Sequence, residues 1–418
     1  MGMLINRRKF LAAAVSAPLA VSLASHGLDS VEPSRGPDVQ RLFFVSQGKT
    51  ATIRIDGTGL RHFEFDEPNQ ATWQAGGFFP DGRRVLFLSM EPRRDGPGRP
   101  FETYYHQTPT HLWIYDFEDD SLTEIATRDR LAVFYTPQLL LNDERMLVQV
   151  VRDSGGQVFS MNLDGSDATA FTRLGEGLPY GFDLSPDSRR VAYHLASPAG
   201  YQIWTSDADG SNRTLVAADE ALLYFGPRWS PDGTRLAFQG CDYRNDPGHD
   251  WSDLWVSHPD GSELTRLTSG QSLWFAATYG PEENRGGGSN MPVWTRDGAI
   301  LASRRLPESR VAWEYQADQP DTDHFNRAFK PEFAKGGTEI VRIDPANGSE
   351  TPLTQSDPPV WDFRQSQSPD GRHMVFCRAK TGGSPALWVA ESGGANQRLL
   401  TEGLDARGAD HPRWQPRQ

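Results

Sequence analysis

One pattern recurs along this chain and limits what it can fold into: an apolar stretch, a Ser-Pro-Asp-Gly turn, and a second apolar stretch. It reads FFPDGRRVLFLS from Phe78, LSPDSRRVAYHL from Leu184, WSPDGTRLAFQG from Trp229, WTRDGAILASRR from Trp294 and QSPDGRHMVFCR from Gln367. LLNDERMLVQVV, from Leu140, is a degenerate sixth copy. Most copies lead into an aromatic-rich segment and a second tight turn, as in IWTSDADGS, LWVSHPDGS and LWVAESGGA, and then a short closing strand. Pro presets φ at the second position of such a turn, Asp tolerates the third and Gly relieves the fourth. Period-two alternation in TRLAFQ and LWVSHP marks strands with one face in a core. Each repeat is therefore four strands, A to D, with tight turns at A–B and C–D. Such a unit cannot bury both faces alone and must stack on neighbours. Four-stranded units arrayed radially make a β-propeller, an all-β fold.

The two ends of the chain complete one another. RLFFVSQGKTATIRIDGTGLRHFEF, Arg41 to Phe65, supplies strands B, C and D with no strand A, whereas HPRWQP, from His411, is a strand A alone. Six internal blades and this shared one predict a seven-bladed propeller. Its ring would be closed by the C-terminal strand pairing with the N-terminal blade, which leaves no open sheet edge.

Ahead of the repeats, NRRKFL from Asn6 is followed by a short Ala/Ser-rich apolar run and by SLA at Ser22 to Ala24. This resembles a twin-arginine export signal. The run is too short to span a membrane. The expected organisation is a signal over residues 1–24, a linker over 25–38 and a single propeller over 39–418. The implied location is periplasmic or extracellular, with no transmembrane anchor after signal removal. The net charge of −13 argues against a nucleic-acid partner, whose phosphates need a basic surface. Only Cys241 and Cys377 are present, on non-adjacent blades, so no disulfide framework is expected. A monomer is expected.

Antiparallel alternation puts the A–B and C–D turns on one face and the B–C and D–A loops on the other. Nearly every insertion falls in the second set. These include MEPRRDGPGRPFETYYHQTPTH in the second blade, CDYRNDPGHDWSD in the fifth and RLPESRVAWEYQADQPDTDHFNRAFKPEFAKGG in the sixth, with SGQSLWFAATYGPEENRGGGSN before the sixth. Long loops rich in Trp, Tyr and Phe on one face of a regular scaffold are where a function sits. Three residues before the Trp229 position, the aligned strands A carry Ala75, Pro137, Gly181, Gly226, Met291, Arg364 and His411. Arg364 and His411 stand out, and they belong to consecutive blades. Gln138 and Gln365 lie one step deeper and Asn290 one step higher.

These residues, with Tyr105, His106, Arg244, Asn326, Arg327, Trp274 and Trp313 from the loops, are the candidate substrate-binding groups for a small molecule or oligosaccharide. His249 and His324 are candidate bases, and Arg364 and Arg310 candidate cations to neutralise a carboxylate and a developing enolate. Each has a structural alternative. Arg364 can pair with Asp362 or Asp410, and His411 can orient its own strand. Nucleophile-elbow, zinc-protease, Walker and dinucleotide motifs are missing.

The SPDG turns and the LW or IW…DG strands resemble the TolB-type, WD40-like PD40 propeller family. The single-propeller layout, with GHDWSDLWVSHPDG in the fifth blade, is similar to that of the oligogalacturonate lyases. That resemblance implies β-elimination on uronic-acid oligosaccharides with bound Mn²⁺, and His249 as a base. The lyases' Gln-x-x-His-x-His metal cluster falls at the chain terminus. There His411 matches the first histidine, but Gly408 stands for the glutamine and Arg413 for the second histidine. The other metal histidine falls near Asn290, so the metal site is not preserved and the cofactor stays open, a divalent metal included. The alternative is a non-catalytic module binding a glycan or envelope proteins, its loop-face aromatics serving as a partner surface.

Overall fold

The computed structural model describes residues 21–22, 40–46, 49–63, 71–90, 110–126, 137–140, 144–152, 155–197, 200–241, 251–273, 275–277, 287–311, 313–315, 327–381, 383–401 and 408–416. Among these the chain is all strand and turn apart from one short 3₁₀ turn, Pro331–Phe333.

One repeat shows how the sequence makes a blade. Leu223–Trp229 pairs antiparallel with Leu236–Cys241, which pairs with Ser252–Ser257, which pairs with Thr265–Arg266. At the A–B turn the Gly233 N–H donates to Ser230 O at 2.9 Å. The Ser230 hydroxyl donates to Asp232 at 2.6 Å and accepts the Arg235 N–H at 2.9 Å. The serine of the motif thus spans the turn and ties its two strands, as Ser368 does with Asp370 and His373. Five sheets follow this meander, one of them with the two-residue strand Val21–Ser22 added beside Ser121–Ile125. The arrangement is an all-β propeller with four-stranded blades.

One detail differs from the sequence expectation and one agrees with it. The strands from Val293 to Leu399, apart from Trp313–Tyr315 and Arg327–Phe329, join in one eight-stranded sheet, whose halves meet through a single parallel pairing, Thr338 with Trp361. The ring is closed at its ends: Ala409–Trp414 pairs with Arg41–Ser46, placing Trp414 opposite Leu42 and Asp410 opposite Val45.

Neighbouring blades are joined by apolar clusters and by two recurring polar ties. Buried clusters such as Phe79, Leu86, Leu112, Met146, Val148 and Met161 bridge successive blades. Each large side chain so buried stabilises by about 1.5–3 kcal/mol. The Trp that ends strand A donates its indole N–H to a strand A carbonyl of another blade: Trp229 to Asp183 at 3.2 Å, Trp294 to Arg228 at 2.9 Å and Trp414 to Ser366 at 3.2 Å. A polar side chain of strand B meets strand A of the next blade. His194 Nδ1 accepts the Gly226 N–H at 3.3 Å, Gln239 donates to Asn290 O at 2.6 Å, and the Cys377 thiol donates to Asp410 at 3.2 Å.

Candidate functional site

Strand A carries a β-bulge at the channel mouth. The register slips between Tyr180 and Asp183, Phe225 and Arg228, Phe363 and Ser366, and Asp410 and Arg413. Inside each slip one residue turns left-handed: Gly181 at φ 62°, Gly226 at 66°, Arg364 at 50° and His411 at 55°. Such a bulge usually takes glycine. In the two blades at the chain seam it carries the two polar residues that stood out in the aligned sequence.

The bulges bring Arg364 and His411 together through a third residue. The Arg364 guanidinium pairs with Asp410, and both are buried. The Asp410 carboxylate also accepts the His411 N–H at 2.7 Å and the Cys377 thiol, and its other oxygen is 3.6 Å from His411 Nδ1. Burial opposes the Asp410 charge, but Arg364 and these donors outweigh it and hold the carboxyl below its ordinary range. Burial, and then Arg364, push His411 down to about 3, so its imidazole is neutral at physiological pH. Burial first, and then the Asp410 charge, raise the Cys377 thiol well above its ordinary value. This is an inert thiol, and Cys241 is likewise free and buried.

The supporting amides are spent on the fold. Asn290 accepts the Arg364 N–H at 2.6 Å and donates to Leu273 O at 2.8 Å and Ser303 at 3.1 Å. Gln365 donates to Met291 O at 3.0 Å and Leu301 O at 3.1 Å, and accepts from Ser303. Both side chains, read from sequence as substrate-binding, are buried, and these hydrogen bonds tie them to neighbouring strands and loops. Arg364, expected to face a substrate carboxylate, has Asp410 as its structural partner. Gln138 lies half-buried in the short strand Gln138–Leu139.

A second arrangement sits on the long-loop face. A cleft of about 880 Å³ opens where strand B of the sixth repeat ends, lined by Arg304, Arg305, Arg310, Lys335, Glu339 and Trp251, among others. Arg304 is neutralised by Glu339 and Glu350, each at 2.5 Å. Lys335 is 3.8 Å from the exposed Glu308. The Arg305 guanidinium lies over the Trp251 ring at 5.6 Å and that of Arg310 over Phe333 at 4.3 Å. Arg310 therefore belongs to this cleft and Arg364 to the axial mouth; the structure shows no contact between them.

The blade-six insertion contains an antiparallel ladder, Trp313–Tyr315 with Arg327–Phe329, which sets Tyr315 opposite Arg327. His249, His324, Tyr105, His106, Arg244, Asn326 and Trp274 lie outside the described residues. Sequence reasoning passed over Asp183 and Arg228, two residues beyond the bulges at Gly181 and Gly226. Their signal was positional, because Arg413 stands at the same step beyond His411.

The residues present do not fit a manganese centre of the kind the sequence resemblance implied. Gly408 brings no donor, Arg413 is a cation, and the Asn290 amide is already committed. Among the described residues no group of three or more His, Cys, Asp or Glu could hold a metal ion.

No protein-family model matches the chain, and no curated protein matches it either. Among solved structures it is similar to an oligogalacturonate lyase in complex with manganese, at 15% identity over 86% of this chain and 85% of that one, TM-score 0.51. It is similar to a puromycin hydrolase at 14% identity over 89% of this chain and 55% of that one, TM-score 0.55. An Agrobacterium tumefaciens protein assigned as TolB aligns over 91% of this chain and all of that one (100%), at 14% identity and TM-score 0.42. At such identities the likeness is one of fold alone, a β-propeller.

Proposed function

We propose that this chain is an exported, seven-bladed propeller that binds a carboxylate-bearing oligosaccharide on its long-loop face. The eight-stranded sheet counts as two of the seven blades, residues 1–24 as the export signal, 25–38 as a linker and 39–418 as the propeller. The observation that carries the reading is the charge pattern of the loop-face cleft. Arg304 is neutralised by two glutamates, while Arg305 and Arg310 lie over the aromatic rings of Trp251 and Phe333. Guanidinium groups braced on rings suit a ligand with both carboxylates and apolar sugar faces.

The finer reading is β-elimination, the chemistry the resemblance to oligogalacturonate lyases implies. A base, His249 or His324, takes the proton α to the uronate carboxylate. The electron pair forms the new C=C bond as the glycosidic C–O bond breaks, and the departing oxygen takes up a proton. Arg310 would hold the carboxylate as negative charge grows on it.

The test is calorimetric titration with uronate oligosaccharides and with neutral oligosaccharides of equal length, alongside ultraviolet absorbance of the unsaturated product. Uronates bind and neutral sugars do not, and Arg305→Gln or Arg310→Gln weakens binding by roughly ten-fold or more, as expected for a lost charge-assisted hydrogen bond. Absorbance that rises in wild type and not in His249→Ala or His324→Ala identifies a lyase and its base. Equal binding of neutral sugars, or none of either kind, overturns the carboxylate reading and leaves the module that binds envelope proteins.

A further inference from the structure

The outermost strand of a blade turns one row of backbone groups away from its sheet, and the second blade treats that row differently from the others. Its strand D, Ser121–Ile125, is five residues long. Elsewhere strand D is shorter. Arg61–His62, Thr169–Ala170, Thr265–Arg266 and Arg398–Leu399 have two residues each, Glu350–Pro352 has three and Thr214–Ala217 has four. A short edge, or one that ends in Pro, gives another strand little to pair with. The second blade lacks these defences. Its SLTEI contains neither Pro nor Lys, and its one charge, Glu124, is tied back to His111 at 2.6 Å. Leu122, buried in a cluster with Phe43, Phe63, Val85 and Tyr115, anchors the strand to the core.

This long edge is the one that is covered. Among the described residues no other strand D gains a further strand, and here the added one, Val21–Ser22, comes from outside the repeats. Val21 stands opposite Leu122 and Ser22 opposite Ser121, apolar against apolar and polar against polar. Ser22 is also the first residue of the SLA tripeptide, Ser22 to Ala24, at the end of the export leader. A peptidase that takes its substrate as an extended strand pairs with the backbone N–H and C=O groups of that strand. Groups already paired with a sheet edge are not free to do so.

We infer that the second blade is a docking edge for the chain's own N-terminal segment, and that this docking masks the leader's cleavage site from the peptidase that hydrolyses the Ala24–Ser25 bond. The masking rests on the reading of residues 1–24 as an export signal; the docking does not. A backbone hydrogen bond favours its closed state by a factor of about ten or less, so a pairing this short opens and closes. It slows processing and does not forbid it.

Two measurements on the full chain test the two parts. Amide exchange compares wild type with Val21→Pro/Ser22→Pro, which lacks the N–H groups of the added strand. Ser121–Ile125 should exchange about 3- to 10-fold faster in the variant, with Thr214–Ala217 unchanged. Equal exchange overturns the docking. Digestion with a leader peptidase then compares wild type with Ser121→Pro, which weakens the edge at its first residue and leaves the leader untouched. Cleavage should be about 3- to 10-fold faster in Ser121→Pro, and equal rates overturn the masking. If Ser121→Pro fails to fold, Ser22→Cys/Ser121→Cys serves instead. Directly opposed residues of antiparallel strands have Cα atoms about 4.5–5.5 Å apart, within reach of a disulfide. The oxidised form should resist cleavage until it is reduced, and equal cleavage in both states overturns the masking. Protection in the exchange experiment with no cleavage of any form means that the export-signal reading has failed, and the masking with it, while the docking stands.

Discussion

Arg364 and His411 hold a backbone conformation that Gly181 and Gly226 adopt in other blades. For a residue with a Cβ this costs about 1–2 kcal/mol, and histidine is among the more tolerant types. The side chains offset it through the buried Arg364–Asp410 pair. Replacing Arg364 with Met should leave an uncompensated buried carboxylate and cost about 3–5 kcal/mol, whereas Arg364→Met with Asp410→Leu should cost clearly less. Urea unfolding of the three proteins checks this, and a double variant as unstable as the single one would contradict it. His411 gives a pH dependence of known sign. Its folded value of about 3 lies below its unfolded value, so below about pH 6.5 the unfolded chain takes a proton that the folded chain refuses. Stability should fall on acidification through that window, by at most about 1.4 kcal/mol per pH unit, and His411→Gln should remove that part of the slope. The aligned sequence picked out these two positions. It did not show that they were left-handed, although glycines at the same step were the clue.

The Gly-containing turn between strands C and D was legible as turn chemistry, because turn preferences are local. Its second role was not legible, since it depends on how blades stack. A Cβ on Gly394 would lie 2.2 Å from Leu353 O, one on Gly261 2.8 Å from Val216 O and one on Gly210 2.9 Å from Phe171 O, each a carbonyl of the preceding repeat. In the first blade Gly57 has nothing within 4 Å. Gly394 and Gly57 share nearly the same φ, 87° and 88°, so strain at the residue cancels between them. Gly394→Ala should therefore destabilise by about 1–3 kcal/mol more than Gly57→Ala, the cost of forcing two blades apart. Equal effects in chemical denaturation would show that the turn alone demands glycine. The same limit explains Asn290 and Gln365. Their depth in strand A could be counted from the sequence, but the carbonyls of a neighbouring blade that use up their amides could not.

At the scale of the molecule, the ring closure was legible because the two ends hold complementary parts of one blade. What crosses the channel was not, since a repeat gives each strand its register and says nothing of which side chains meet over the axis. The seam rests on Trp414, buried opposite Leu42 and bonded to Ser366 O. Trp414→Ala should cost about 3–5 kcal/mol. It should speed amide exchange in Arg41–Ser46 while leaving Leu236–Cys241 unchanged, and uniform loss of protection would mean that the seam has no local weakness. The closure also sets an order in time. Each internal blade can form from residues made within a short interval, but Arg41–Ser46 must wait for Ala409–Trp414, synthesised almost a full chain later. Until then the backbone of that first strand is an unsatisfied edge beside Phe43 and Phe44, able to pair with a strand of another molecule. Crowded, newly made chains would meet this hazard, and finished rings would not.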